Sequence, residues 1–188
     1  MTFTFKTLQI PDVMVVEPRT FSDERGFFLE NFKESEFSAK GITAKFVQDN
    51  ISYSTYGVIR GLHFQKQPKE QAKLITVIKG KVFDVAVDIR KNSPTYGRWV
   101  GEILSEDNHK SLYIPEGFAH GFCSLNKESI LFYKVTNEYS REHERGIIWN
   151  DPTLNIQWPV EKPIISDKDK ELPSLANLDN SFTYKESS

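Results

Sequence analysis

Cysteine is almost absent from this 188-residue chain: Cys123 stands alone, which excludes an internal disulfide and fits a reducing compartment. Its setting, Gly-Phe-Cys-Ser-Leu, reads as a core strand, so a buried inert thiol competes with a nucleophile as its role. A basic excess is also missing. With 24 Lys+Arg against 26 Asp+Glu and a formal net charge of -2, a nucleic-acid surface is not expected, although local arginines can still hold a phosphate. No long apolar run occurs, and the N-terminal Met-Thr-Phe-Thr-Phe-Lys alternates polar and apolar residues. Neither a secretory signal nor a membrane span is expected, and the cytoplasm is the expected location. Repeats, low-complexity tracts and compositional breaks are lacking too. These absences imply a single domain over 1–188, with a core at about 10–170 and a C-terminal extension, 171–188, that wraps or frays.

What the chain does have is a succession of short β-branched and aromatic runs separated by Gly, Pro, Asn or Asp, the pattern of an all-β sandwich or barrel. Strands are expected at 2–7, 13–17, 26–32, 44–50, 57–65, 73–78, 81–90, 98–104, 110–114, 121–125, 129–136 and 147–150. Helix is limited to short peripheral pieces, the clearest being 34–40, stopped by Gly41 as a C-cap. Lys79-Gly80, between two apolar runs, predicts a tight hairpin. On the second of those runs Phe83, Val85, Val87 and Ile89 share one face, and Val82, Asp84, Ala86, Asp88 and Arg90 share the other. Asp84 and Asp88 then belong either to a solvated outer face or to the lining of a cavity.

The most informative stretch is Gly57-Val-Ile-Arg-Gly-Leu-His-Phe-Gln65, because it places Arg60 and His63 in an apolar strand. Buried polar groups need polar partners, and a ligand is the expected one. Strict alternation would set Arg60 and His63 on opposite faces, so a bulge at Gly61 is predicted to bring both into one pocket. Pro115-Glu-Gly-Phe-Ala-His120 supplies a second histidine at a strand edge, either a ligand contact or a satisfied core imidazole.

These two segments resemble the cupin motifs. Gly57, five residues on, is followed by His63-Phe-Gln65, and Pro115, Gly117 and His120 fit the second motif. The cupin fold so implied is a double-stranded β-helix, or jelly roll. In place of the second ligand histidine stands Gln65, and the glutamate ligand position falls on Lys73 counting back from Gly80, or on Glu70 counting forward from Gln65. Lys73 is preferred because its strand is unbroken up to Gly80, whereas Gln67-Pro68 reads as a loop. An ammonium cannot ligate a cation, but it can stabilise an oxyanion, as a metal would. Abstraction of a proton next to a ketone needs that help, because such a carbon acid is far weaker than an imidazolium.

A longer series of segments resembles the dTDP-4-dehydrorhamnose 3,5-epimerases. It comprises Asp23-Glu-Arg-Gly-Phe-Phe-Leu-Glu30, Phe46-Val-Gln-Asp-Asn50, the stretch 57–65, Asp84 to Arg90 with Ser93-Pro-Thr95, then 114–122, Tyr133-Lys-Val-Thr136 and Ile148-Trp-Asn-Asp-Pro152. The match spans about 10–169. The resemblance implies an enzyme with no metal and no organic cofactor, acting on dTDP-4-dehydro-6-deoxy-D-glucose. His63 would be the base at C3 and C5, Asp169 its dyad partner, Tyr133 the acid on the opposite face and Lys73 the group that holds the C4 enolate. Tyr139 shares parity with Tyr133 if the strand continues, and stands as an alternative acid. Arg60 and Arg25 would meet the diphosphate. Phe21, Glu30, Gln48, Asp49, Asn50, His120, Glu144 and Lys168 would contact nucleotide or sugar, although Arg25 and Glu30 also read as an ordinary surface pair. A homodimer is implied, with the N-terminal strand segment serving the partner's site.

Three rivals remain at this level. A single-centre epimerase or a ketoisomerase of another deoxysugar pathway would share the scaffold and the base. A metal-dependent cupin would use His63, Gln65, Glu70 and His120. A non-catalytic jelly roll would bind the nucleotide sugar without proton exchange.

Overall fold

The alternating runs become thirteen strands among the described residues, which in this computed structural model are 2–184. Met1 and the end of the expected C-terminal extension, 185–188, lie outside the described residues. In chain order the elements are β1 (Phe3–Thr7), β2 (Met14–Pro18), β3 (Thr20–Asp23), β4 (Gly26–Leu29), α1 (Glu34–Ser38), β5 (Gln48–Thr55), β6 (Ile59–Gln65) and β7 (Lys73–Lys79). They continue as β8 (Lys81–Asp88), β9 (Trp99–Ser105), β10 (Ser111–Ile114), β11 (Phe118–Ser124), β12 (Glu128–Val135), β13 (Glu144–Gly146) and α2 (Asp167–Lys170), with a 3-10 turn at Leu175–Asn177.

Antiparallel pairing produces a six-stranded sheet, β1-β2-β10-β7-β12-β5, facing a five-stranded sheet, β13-β6-β11-β8-β9. The all-β jelly roll expected from the sequence is what forms. Between the sheets, Val15, Ile75, Val77, Leu112 and Leu131 from the first meet Val82, Ala86, Val100, Leu104 and Phe122 from the second. This core fills one end of the barrel and leaves the other end open.

Two expectations are corrected and one open alternative is decided. Lys79-Gly80 is not a hairpin, because β7 and β8 lie in different sheets. Gly80 does use positive φ (+81°), but it turns the chain across the sandwich; a Cβ there would meet the Glu128 carbonyl. Nor is either face of β8 solvated. Phe83, Val85 and Val87 are covered by the C-terminal segment through Leu154, Ile156, Leu175 and Phe182, while Asp84 and Asp88 are both fully buried. Asp88 accepts from Arg90, Ser93 and Thr95, closing the turn after β8. Finally, the strand expected at 44–50 runs from Gln48 to Thr55, and 147–150 is irregular beyond the short β13.

Continuing β5 to Thr55 follows from alternation with its polarity inverted. Asp49, Ile51, Tyr53 and Thr55 face outward, while Gln48, Asn50, Ser52 and Ser54 face the barrel interior. A polar inward row contradicts the usual pattern, and it marks where the interior is a cavity rather than a core.

The bulge at Gly61 is present. His63 pairs with His120 and Arg60 with Phe122, so three steps on β6 span two on β11. Gly61 has φ +119°, and a Cβ there would lie 2.6 Å from both the Gly121 Cα and the His120 carbonyl oxygen, so only glycine permits this contact.

Candidate active site

The open end of the barrel is a cavity of about 530 Å³, continuous through shared residues with a second lobe of about 360 Å³. His63, Lys73 and Tyr133 line both lobes and therefore sit at their junction. The two sheets each contribute. His63 comes from β6 of the five-stranded sheet, whereas Tyr133 on β12 and Lys73 on β7 come from the facing sheet. Tyr133 pairs with Ile75, two residues from Lys73 on the same face of β7, so phenol and ammonium are diagonal neighbours.

His63 Nε2 lies 2.8 Å from Asp169 Oδ1, and Asp169 Oδ2 accepts from the Gly61 backbone N–H at 3.3 Å. Burial by itself would raise the Asp169 pKa, but the His63 contact, the Gly61 N–H and the nearby Lys168 charge outweigh it and hold the carboxyl below its usual range. The carboxylate is thus charged, and it fixes one nitrogen of the imidazole so that the other is left for the cavity. Asp169 is delivered by α2, whose N-cap Ser166 accepts from the Asp169 backbone N–H at 3.1 Å.

Lys73 is 8% exposed, and its Nζ donates to the His63 carbonyl at 3.2 Å. Burial pushes its pKa down to about 8, against the opposing pull of Asp84 and Glu144. The alternative register fails on position: Glu70 does not line either lobe, while Lys73 lines both. Gln65, which stands where a cupin would have its second histidine, spends its amide on the backbone. It donates to the Lys69 and Glu138 carbonyls and accepts from the Ser140 N–H.

Tyr133 has its pKa raised by burial, with Arg60 pulling the other way, so the phenol keeps its proton at neutral pH. Tyr139 does not share its strand, since β12 ends at Val135. It stands at the mouth, 56% exposed, with its hydroxyl donating to Glu144 at 2.8 Å, and Lys168 reaches the same carboxylate at 2.6 Å. Gln48 and Asn50 line the smaller lobe with Glu144, and Arg60 and His120 line the larger one with Lys168.

Four residues expected at the site do not line this chain's own cavity. Asp49 faces outward and pairs with Lys134. Glu30 lies near Lys33, and Phe21 and Arg25 belong to the separate β3–β4 hairpin, where Arg25 pairs with Asp23.

The structure gives Asp84, left open between an outer face and a cavity lining, a definite partner. Asp84 accepts from His120 Nε2 at 2.9 Å, making a second carboxylate–imidazole pair. Burial lowers the His120 pKa, and Asp84 resists that fall. Alternation along β8 carried the signal, since Asp84 shares the face of Val82 and Ala86. Ser166 was legible as well: Ser-x-x-Asp is the signature of a capped helix start. Ser52 and Ile164 to Ser166 complete the wall. Cys123 is buried and its thiol is pushed up to about 11, which leaves it inert.

Comparison with known proteins agrees with this arrangement. A family model described as dTDP-4-dehydrorhamnose 3,5-epimerase matches residues 7–177. A dTDP-4-dehydrorhamnose 3,5-epimerase of Shigella flexneri is 57% identical over 162 residues, covering 86% of this chain and 90% of that protein. Among solved structures, a dTDP-6-deoxy-D-glucose-3,5-epimerase from Legionella pneumophila in complex with dTDP-4-keto-L-rhamnose superposes with a TM-score of 0.91 at 46% identity, covering 94% of this chain and 95% of that one. The Bacillus anthracis dTDP-4-dehydrorhamnose 3,5-epimerase, with TDP and PPi bound, gives a TM-score of 0.89 at 51% identity, covering 92% and 99%. The cavity, the His63–Asp169 pair and this breadth of likeness identify the chain as a member of the dTDP-4-dehydrorhamnose 3,5-epimerase family, an isomerase on a cupin-type jelly roll.

Proposed function

We propose that His63, Lys73 and Tyr133 together invert C3 and C5 of dTDP-4-dehydro-6-deoxy-D-glucose, giving dTDP-4-dehydro-L-rhamnose without a metal or an organic cofactor. The observation that carries this reading is an imidazole and a phenol presented from opposite sheets to one cavity that a buried ammonium also lines. His63, polarised by Asp169, removes the proton next to the C4 ketone. Charge that develops on the C4 oxygen is held by Lys73, where a low-dielectric site makes a fixed cation most effective. Tyr133 then donates to the opposite face of the carbon. Inversion requires that second group, because returning the proton from the same side regenerates the substrate.

Arg60 is the wall residue suited to the diphosphate. Gln48, Asn50, His120, Tyr139, Glu144 and Lys168 supply polar contacts for nucleotide and sugar along the two lobes. The commitment of Gln65 to backbone groups and the ammonium at the glutamate position support a metal-free site. Turnover in deuterium oxide should place label at both C3 and C5, read by NMR. Label at one carbon only would reduce the enzyme to a single-centre epimerase, and no label would leave a binding protein.

We also propose a homodimer in which Phe21, Arg25 and Glu30 serve the partner's cavity. Ile51, Tyr53 and Ile78 are exposed on the outer face of the six-stranded sheet, and the β3–β4 hairpin lies beside that face with Phe27 and Phe28 exposed. An apolar face of that kind calls for a protein cover. Subunits carrying Arg25→Ala, co-expressed with subunits carrying His63→Asn, should regain about a quarter of wild-type activity, the statistical share of intact sites in random twofold dimers. No recovery in a proven mixed dimer would confine each site to one chain. The buried, unreactive single cysteine and a nucleotide-sugar substrate point to the cytoplasm, which cell fractionation tests. No helix among the described residues is long and apolar enough to cross a membrane.

A further inference from the structure

Arg60 is held in an unusual way for a cavity arginine. Its Nε donates to Ser54 Oγ at 3.0 Å and its Nη2 donates to the Tyr53 carbonyl at 2.9 Å. Both partners lie on β5, the edge of the six-stranded sheet, whereas Arg60 belongs to β6 of the other sheet, so the side chain bridges the two walls. Neither partner is charged, and among the described residues no carboxylate lies within ion-pairing distance of Arg60. A guanidinium has five N–H donors, and these contacts engage two of them. The remaining three, with a positive charge that no carboxylate neutralises, stay free on an exposed side chain that lines the cavity.

We propose that Ser54 is a positioning residue for diphosphate recognition: its buried hydroxyl fixes the Arg60 fork toward the cavity while leaving the guanidinium charge intact. An acidic partner would orient Arg60 equally well but would cancel the charge the ligand needs. A neutral acceptor gives orientation without that loss. Ser54 is suited to the role because it is only 2% exposed, on the inward row of β5, where its rotamer is set by packing rather than by solvent. Its hydroxyl points at Nε, the one nitrogen whose engagement leaves both terminal amino groups able to grip phosphate oxygens in a forked geometry. This assignment rests on the reading that Arg60 meets the diphosphate.

The test is calorimetric titration of the full-length protein with dTDP and with inorganic pyrophosphate, for wild type, Ser54→Ala, Ser54→Thr, Arg60→Ala and the Ser54→Ala/Arg60→Ala double variant. Ser54→Ala should weaken both ligands by roughly threefold to tenfold, the cost of freeing one long side chain to many rotamers. KM for the sugar nucleotide should rise by a similar factor, with kcat at saturation within about twofold. Ser54→Thr, which keeps the hydroxyl, should restore binding. In the Arg60→Ala background the Ser54→Ala penalty should vanish, because the residue acts only through Arg60. Unchanged affinity in Ser54→Ala, or a penalty that persists undiminished without Arg60, would overturn the proposal. So would a loss confined to kcat. Failure of the wild type to exchange solvent deuterium into the 4-keto sugar would instead remove the epimerase reading, and would leave Ser54-dependent pyrophosphate binding as a separate, measurable result.

Discussion

His63→Asn should lower kcat by about two to four decades, the range associated with losing a positioned general base, and should abolish deuterium uptake at both C3 and C5. The physical ground is the 2.8 Å contact between Nε2 and Asp169, which commits one side of the imidazole to a charged carboxylate and leaves the other for the cavity that His63 lines. Asparagine keeps the approximate size and a hydrogen-bond donor for Asp169 but offers no basic nitrogen. Binding of dTDP should therefore stay within a few-fold of wild type, and the melting temperature should change little. Uptake of label at C5 at the wild-type rate would assign that proton to another base, and His63 would lose its place in the reaction.

Lys73→Ala should reduce kcat by about two to three decades, equivalent to roughly 2.7 to 4 kcal/mol of transition-state stabilisation, with little effect on nucleotide affinity. In the proposed role Lys73 acts mainly on charge that appears on the C4 oxygen, so the expected loss belongs in kcat. A pH signature accompanies it. Burial has brought the ammonium down from 10.5 to about 8, so the group is protonated below that pH and loses its proton as pH rises through it. Activity of the wild type should decline above about pH 8 for that reason. Lys73→Arg, whose guanidinium stays charged, should show residual activity without this alkaline limb. A variant at Lys73 with unchanged turnover, or a wild-type profile flat to pH 10, would take the ammonium out of the mechanism.

Both experiments depend on groups that converge from distant parts of the chain. His63 and Asp169 are 106 residues apart, and their meeting relies on α2 being capped by Ser166 and laid against β6. Nothing local in the sequence around Asp169 announces that contact. The same is true of Asp84 and His120, 36 residues apart, which become partners because β8 and β11 are neighbours in the five-stranded sheet.

The Gly80 corner shows how a correct local inference can carry a wrong topology. A glycine with positive φ between two apolar runs predicts a tight hairpin, but the same dihedral also serves a crossing between sheets, as it does here. The choice is made by which strands stand beside β7 and β8, and those come from later in the chain: β10 and β12 for one, β9 and β11 for the other. With β8 placed in the second sheet, both its faces are covered, and the question of where Asp84 and Asp88 point is answered by burial.

The local pattern by itself determined the all-β character of the chain, the bulge at Gly61, and the presence of His63, Lys73 and Tyr133 in segments whose motifs resemble one enzyme family. These are properties that period-two alternation, glycine stereochemistry and short motifs encode within a few residues. Tertiary structure alone decided that the inward row of β5 is polar because it borders a cavity, that Ser54 and Arg60 join opposite walls, and that Asp84 is the carboxylate behind His120. Those facts depend on which strands lie side by side and which sheets lie face to face. Such contacts form only when non-local packing closes the barrel.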